Sequence, residues 1–122
     1  MANIRRQFRV GEQARAAMAM AVLQLSYPRL NLVTITAVKM TSDLRLAKVY
    51  WSVSGDDERK EAVDDAFTSA RGVLRKELGR QLGLRFVPNV QFYYDETLDV
   101  LDETRALMKK VEEIDQKNRE ES

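Results

Sequence analysis

The sequence predicts an α+β domain with helices on one face of a three-stranded sheet and one further helix at the C-terminus. Three observations predict it. Two stretches repeat apolar residues at helical spacing, at Val10, Ala14, Met18, Ala21, Val22 and Leu25 and again at Val63, Phe67, Ala70, Leu74, Leu78 and Leu82. Between them lie two runs of strand character, residues 32–40, rich in Val, Ile and Thr, and residues 46–53, with Ala47, Val49, Trp51 and Val53 on one face. After the second helical stretch, Val87-Pro88-Asn89 leads into a third short run, residues 90–94.

Each element has its own local cause. The first helix, over residues 5–25, sets Arg5, Arg9 and Gln13 on the solvent side, and Tyr27-Pro28 ends it because the residue before proline is pushed out of the α region. Thr41-Ser42-Asp43 supplies the side-chain oxygens a turn uses, so the two strands flanking it form an antiparallel hairpin. Ser54-Gly55-Asp56-Asp57-Glu58 combines cap chemistry with acids that favour a helix N-terminus. Gly72 interrupts the second stripe, and a mid-helix glycine costs about 1 kcal/mol against alanine. Either the helix bends there, giving two helical arms, or something approaches the backbone closely. Gly83 suits a C-terminal cap. Leu101, Leu107 or Met108, Val111 and Ile114 outline the last amphipathic helix, residues 98–115, and the polar residues 116–122 are expected to be a disordered tail. Trp51 and Phe92 are assigned to the core.

Composition narrows the chemistry. The 122 residues contain no Cys and no His. Disulfides, Cys-based zinc sites, thiol nucleophiles, Ser-His-Asp triads and zinc hydrolases are thereby excluded. No phosphate-cradling G-x-x-x-x-G-K-[ST] occurs, and the acids Asp56, Asp57, Asp64 and Asp65 lack the spacing of a calcium loop. No catalytic residue, cofactor, metal or small-molecule substrate is expected. The longest apolar run, residues 16–23, is too short for a membrane span, and a cytoplasmic protein is expected.

The formal net charge of +1 conceals strong patterning. Residues 1–53 carry 8 Lys/Arg against 2 Asp/Glu, residues 54–70 carry 2 against 6, residues 71–92 carry 5 against 1, and residues 93–122 carry 5 against 10. The two basic blocks hold Arg5, Arg6, Arg9 and Arg15 on the first helix and Arg71, Arg75, Lys76 and Arg80 on the second, with Arg85 beyond it. On adjoining helical faces these form a surface for phosphate backbones, or a solvated face paired with the acidic blocks. Tyr50, Tyr93 and Tyr94 offer rings for base stacking if the open sheet face binds RNA, and as cross-strand neighbours they need no ligand.

Several strings, taken in order, resemble the ribosome-binding factor A family of bacterial small-subunit assembly factors. They are Arg9-Val10 in the first helix, Val38 through Asp43-Leu44 with Ala47-Lys48-Val49-Tyr50 in the hairpin, Ala70-Arg71-Gly72-Val73-Leu74-Arg75 at the expected bend, and Leu84-Arg85-Phe86-Val87-Pro88 with Phe92 and Asp95 near the last strand. The resemblance covers residues 4–112. It implies a type II KH-like domain over residues 1–97, in the order α-β-β-α-(kink)-α-β, with Ala70 and Gly72 as the structural kink that replaces the usual G-x-x-G loop. It also implies a non-catalytic, monomeric factor that binds the immature small ribosomal subunit near the junction of decoding-region and 5′-end rRNA, assists late rRNA maturation and supports growth in the cold. The expected RNA-binding residues are Arg5, Arg6, Arg9, Arg71, Arg75, Lys76, Arg80 and Arg85, with Arg85 the first candidate for an internal ion pair. Charge reversal at Arg75 and Arg80 is expected to weaken subunit binding and leave unfolding unchanged. The alternative is a protein–protein adaptor docking through the C-terminal helix.

Overall fold

A computed structural model describes residues 2–121. The chain runs through α1 (Ala2–Gln24), a 3-10 turn (Pro28–Leu30), β1 (Thr34–Met40), β2 (Leu46–Ser52), α2 (Asp57–Leu82), β3 (Asn89–Tyr94) and α3 (Thr97–Glu121). The expected α+β class and three-stranded sheet are present, in the strand order β1-β2-β3. β1 pairs antiparallel with β2, with a register shift between Ile35 and Ala37, and β2 pairs parallel with β3.

Local chemistry fixes the joints. At the hairpin turn the Thr41 hydroxyl donates to Asp43 Oδ1 at 2.7 Å and accepts from the Leu46 amide at 3.1 Å, while the Arg45 amide donates to the same Asp43 oxygen at 3.1 Å. Asp56 caps α2 by accepting from the Arg59 amide at 2.9 Å, and Gly83 closes it in the left-handed conformation (φ 61°) with its amide on the Gly79 carbonyl.

α2 is a single uninterrupted helix through Ala70 and Gly72, so the two arms expected about a bend are one element. Ala70 is fully buried, and a Cβ added at Gly72 would meet nothing within 4 Å, so no backbone or side chain among the described residues approaches that glycine closely. The close approaches are elsewhere. A Cβ at Gly11 would lie 2.8 Å from the Val38 carbonyl oxygen, which lets α1 lie directly on β1, and one at Gly79 would lie 2.6 Å from a Val87 methyl.

The core forms where α1 and α2 cover one sheet face. Ala14, Met18, Val49, Trp51, Phe67, Leu74 and Leu78 are sealed there. Trp51 packs against Phe67 (5.4 Å between centroids), and Phe92, half-buried, stacks on Phe67 at 4.5 Å. The Trp51 indole N–H is buried with no acceptor among the described residues, a cost of about 1–3 kcal/mol that the ring's burial must outweigh.

α3 continues to Glu121, so the helix expected over residues 98–115 also takes in most of the residues expected to be a disordered tail; Ser122 lies outside the described residues. Acid-to-base spacings of four residues, Glu113 to Lys117 and Asp115 to Arg119, favour helix in that stretch. No residue of α3 is buried, and its apolar stripe faces solvent.

Candidate nucleic-acid interface

The topology sorts the charged blocks to opposite ends of the domain. Because β2 and β3 are parallel, α2 must return antiparallel to both, so its C-terminus lies at the same end as the hairpin turn, where the Asn89 amide donates to the Arg45 carbonyl at 2.8 Å. α1 runs against β1, placing its N-terminal half at that end as well. There Gln7 Nε2 donates to the Met40 carbonyl at 2.6 Å, and Arg6 lines a hollow with Ser42, Asp43 and Leu44. One end therefore gathers Arg5, Arg6, Arg9, Lys76, Arg80 and Arg85, all exposed. The opposite end holds Asp57, Glu58, Glu61 and Asp64 on the first turns of α2, with Asp95, Glu96, Asp99 and Asp102 around the start of α3.

The acids within the basic end are already engaged. Glu12 pairs with Arg15 at 3.3 Å. Asp43 is held below the usual carboxylate range by the Thr41 hydroxyl and then the Arg45 amide. Glu77 is lowered to about 2 by the Arg80 guanidinium and then by the Gln81 amide group, so Arg80 works as part of an ion pair.

The cations expected from sequence do not all share one role. Arg75 donates from Nε to the Pro88 carbonyl and from Nη2 to the Val87 carbonyl, both at 3.1 Å, and so ties the loop after α2 to the helix. Its reversal would act on the fold, contrary to the expectation that unfolding stays unchanged. Arg85 is not the internal partner: it is exposed, with its guanidinium 5.6 Å from the Phe86 ring centre. Arg71 stands exposed midway along α2, short of the basic end. Arg45 was missed. It sits in the hairpin turn, exposed, at the same end of the domain. A basic residue two places after the Asp of the Thr-x-Asp turn was the only signal, and reading charge by helices passed over it.

The tyrosines divide. Tyr50 and Tyr93 are cross-strand partners on the face away from the helices, with centroids 5.6 Å apart. Tyr94 points to the helical side instead, edge-on to Trp51 at 5.2 Å, so it is not available for stacking. Its hydroxyl donates to Asp99 Oδ2 at 2.6 Å, Lys60 Nζ reaches the same oxygen at 3.0 Å, and the Lys60 ammonium lies 4.6 Å from the Tyr94 ring centre. This clasp is the main side-chain attachment of α3. The Tyr94 hydroxyl and then Lys60 hold the Asp99 carboxyl low, and burial raises the Tyr94 phenol. No described helix is long and apolar enough to cross a membrane.

An α+β module whose two helices cover one side of a β1-β2-β3 sheet, with the second helix linking parallel strands, belongs to the KH-like class. Residues 6–108 match the family model for ribosome-binding factor A. Proteins called ribosome-binding factor A from Desulfatibacillum aliphaticivorans (38% identical, 94% of each chain covered) and Citrifermentans bemidjiense (41% identical, covering 88% of this chain and 92% of the relative) are similar to it. So are two solved structures. The crystal structure of ribosome-binding factor A from Thermus thermophilus has a TM-score of 0.66 and 26% identity, covering 72% of this chain and 94% of that one. The Thermus thermophilus homology model fitted into a cryo-EM map of a complex with the 30S subunit has a TM-score of 0.60 and 27% identity, covering 70% and 90%. The chain belongs to the ribosome-binding factor A family.

Proposed function

We propose that the protein binds the small ribosomal subunit through the phosphates of ribosomal RNA at its basic end, and assists late maturation of that RNA without a covalent step. The observation that carries this reading is the gathering of Arg5, Arg6, Arg9, Arg45, Lys76, Arg80 and Arg85 from three distant stretches of chain onto one end, with the carboxylates there already paired. The Thermus thermophilus relative fitted into a complex with the 30S subunit supports it. Arg71 extends the contact along α2, and Arg75 supports it by shaping the loop that carries Arg85. The protein acts as a monomer in the cytoplasm. Its effect on RNA follows from differential affinity: a domain that binds a productive precursor conformation more tightly than competing misfolded ones raises the population of that precursor, and its weaker affinity for the mature form lets it leave.

With about six or seven phosphate contacts, affinity falls by about three decades between 50 and 200 mM salt. Reversal of Arg6, Arg45 and Arg85 to Glu is expected to abolish co-sedimentation with immature small subunits at physiological salt with the melting temperature held. Undiminished co-sedimentation would refute the assignment. A second reading, a protein adaptor, rests on the exposed apolar stripe Leu101, Leu107, Val111 and Ile114 of α3. Removing residues 98–122 separates the two: RNA binding that survives while a protein partner is lost assigns the partner contact to α3.

A further inference from the structure

We infer that the open face of the sheet is a second RNA-binding site, one that stacks unpaired bases on Tyr50 and Tyr93 and holds the adjoining phosphate between Lys39 and Lys48. It rests on the ribosome reading only for the source of the RNA. Three features of the face point to this ligand.

First, Lys39 and Lys48 are register partners, directly opposite each other on adjacent strands. Like charges so placed are destabilising, and among the described residues no ion pair within 4 Å holds either lysine; Lys39 has the Tyr50 ring and a weak pull from Asp95. The three strands contain no Asp or Glu; Asp95, past the end of β3, has its oxygens taken by the Thr36 hydroxyl (2.6 Å) and the Thr97 amide (3.0 Å), and Glu12, which lines one hollow with Lys39, pairs with Arg15. Lys39 is the smallest of the influences that lower the Asp95 carboxyl. A phosphate between the two ammonium groups supplies the charge the face lacks.

Second, two residues beyond Lys48 along β2, about 6.6 Å at the strand rise, comes Tyr50, with Tyr93 as its register partner on β3. A single nucleotide can reach both the lysine pair and the rings. Tyr93 is 41% exposed, its ring tilted 30° to that of Tyr50, and the Lys39 ammonium lies 5.2 Å from the Tyr50 ring centre. The Tyr93 hydroxyl donates to Gln91 on the same face, which fixes the ring. Cross-strand stabilisation alone would explain the ring pair and would leave the opposed lysines unexplained.

Third, the face is open and continuous with the basic end. α1 and α2 lie on the other side, α3 has no buried residue, and Lys39 and Lys48 occupy the part of the sheet next to the turn that carries Arg45. A strand of RNA lying across Arg45 and Lys48 arrives at the tyrosines.

The test uses the full chain, an end-labelled single-stranded oligoadenylate of eight nucleotides and a duplex of the same length, followed by fluorescence anisotropy. Tyr93→Leu is expected to weaken the single strand about ten-fold, the order expected for one base stacked on an aromatic ring, while Tyr93→Phe stays within about two-fold of the parent. Lys39→Gln with Lys48→Gln is expected to reduce the salt slope by about 0.7 for each phosphate that the lysines no longer neutralise. Unchanged affinity of Tyr93→Leu, or equal losses for duplex and single strand, would overturn the proposal. So would a Tyr93→Leu variant that keeps the oligonucleotide but loses a cross-link to a ribosomal protein, which would make the face a protein dock. Ring-proton shifts of Tyr50 and Tyr93 in the unsubstituted protein, moved by the single strand and not by the duplex, give a readout free of folding effects; their absence also overturns it. Co-sedimentation with small subunits on the same samples separates the two readings. An unsubstituted protein that fails to co-sediment overturns the ribosome reading, whereas one that co-sediments while Tyr93→Leu keeps full oligonucleotide affinity overturns the stacking site alone.

Discussion

Gly11→Ala and Gly72→Ala are the same chemical change in two helices, and the structure gives them opposite signs. At Gly72 the new methyl meets nothing within 4 Å, so the change delivers the helix-propensity gain of about 1 kcal/mol. At Gly11 the methyl stands 2.8 Å from the Val38 carbonyl oxygen, in the backbone of a paired strand that cannot swing aside. Overpacking there costs about 1–3 kcal/mol, which outweighs the same propensity gain and leaves a net loss centred near 1 kcal/mol. With an unfolding entropy of about 2.1 cal/mol/K per residue over 122 residues, each kcal/mol shifts the melting temperature by about 4 °C. Gly72→Ala should therefore melt about 4 °C above the parent and Gly11→Ala about 4 °C below it, by circular dichroism or calorimetry. A Gly11→Ala variant as stabilised as Gly72→Ala would refute the close packing of α1 on β1. A Gly72→Ala variant that is more stable yet binds small subunits less well would show that Gly72 serves binding, since the fold does not need it.

Arg75→Gln should unfold about 1–2 kcal/mol more easily in urea, because the Val87 and Pro88 carbonyls lose their guanidinium donor; unchanged stability would return Arg75 to the set of purely RNA-facing residues. Glu77→Gln releases Arg80 from its partner and should tighten small-subunit binding a few-fold at low salt, with the gain fading as salt rises; weaker binding would contradict the idea that Glu77 restrains a phosphate contact. The Lys60-Tyr94-Asp99 clasp should hold α3 from pH 3.8 up to at least pH 10.0, because the Asp99 carboxyl is lowered and both the Tyr94 phenol and the Lys60 ammonium are raised. Its contribution is lost as pH falls below 3.8 through the depressed Asp99 value, or rises above 10.0 through the elevated Tyr94 and then Lys60 values, and hydrogen exchange at residues 97–103 reads both limits. Release of α3 already at pH 6 would mean that another contact holds it.

What the sequence made legible is what depends on neighbours along the chain. The Thr41-Asp43 turn, the Asp56 cap, the Gly83 stop and the alternating strand that buries Trp51 are all local, and each is found where its chemistry placed it. What it hid depends on residues distant in sequence. Gly72 drew attention as a helix-breaking residue, yet the helical glycines that admit close neighbours are Gly11 and Gly79, whose neighbours are Val38 on a strand and Val87 in a loop. The same limit applied to the cations. Charge runs pointed to α1 and α2 as basic elements, but only the parallel pairing of β3 brings the end of α2 to the hairpin end of the sheet, beside the middle of α1, and only the fold shows that Arg75 serves two carbonyls while Arg45 joins the cluster. The stretch 116–121 looked unstructured because no apolar stripe reaches it; its helix continues on charge spacing alone.

The polarity of the domain on the ribosome is the central claim, and site-directed photo-cross-linking tests it most directly. A cross-linker carried at position 45 on the basic end and, in a separate sample, at position 64 on the acidic end is activated on immature small subunits. Cross-links from position 45 to ribosomal RNA, and none from position 64, are the predicted result. RNA cross-links from position 64, or none from position 45 in a protein that co-sediments, would contradict it.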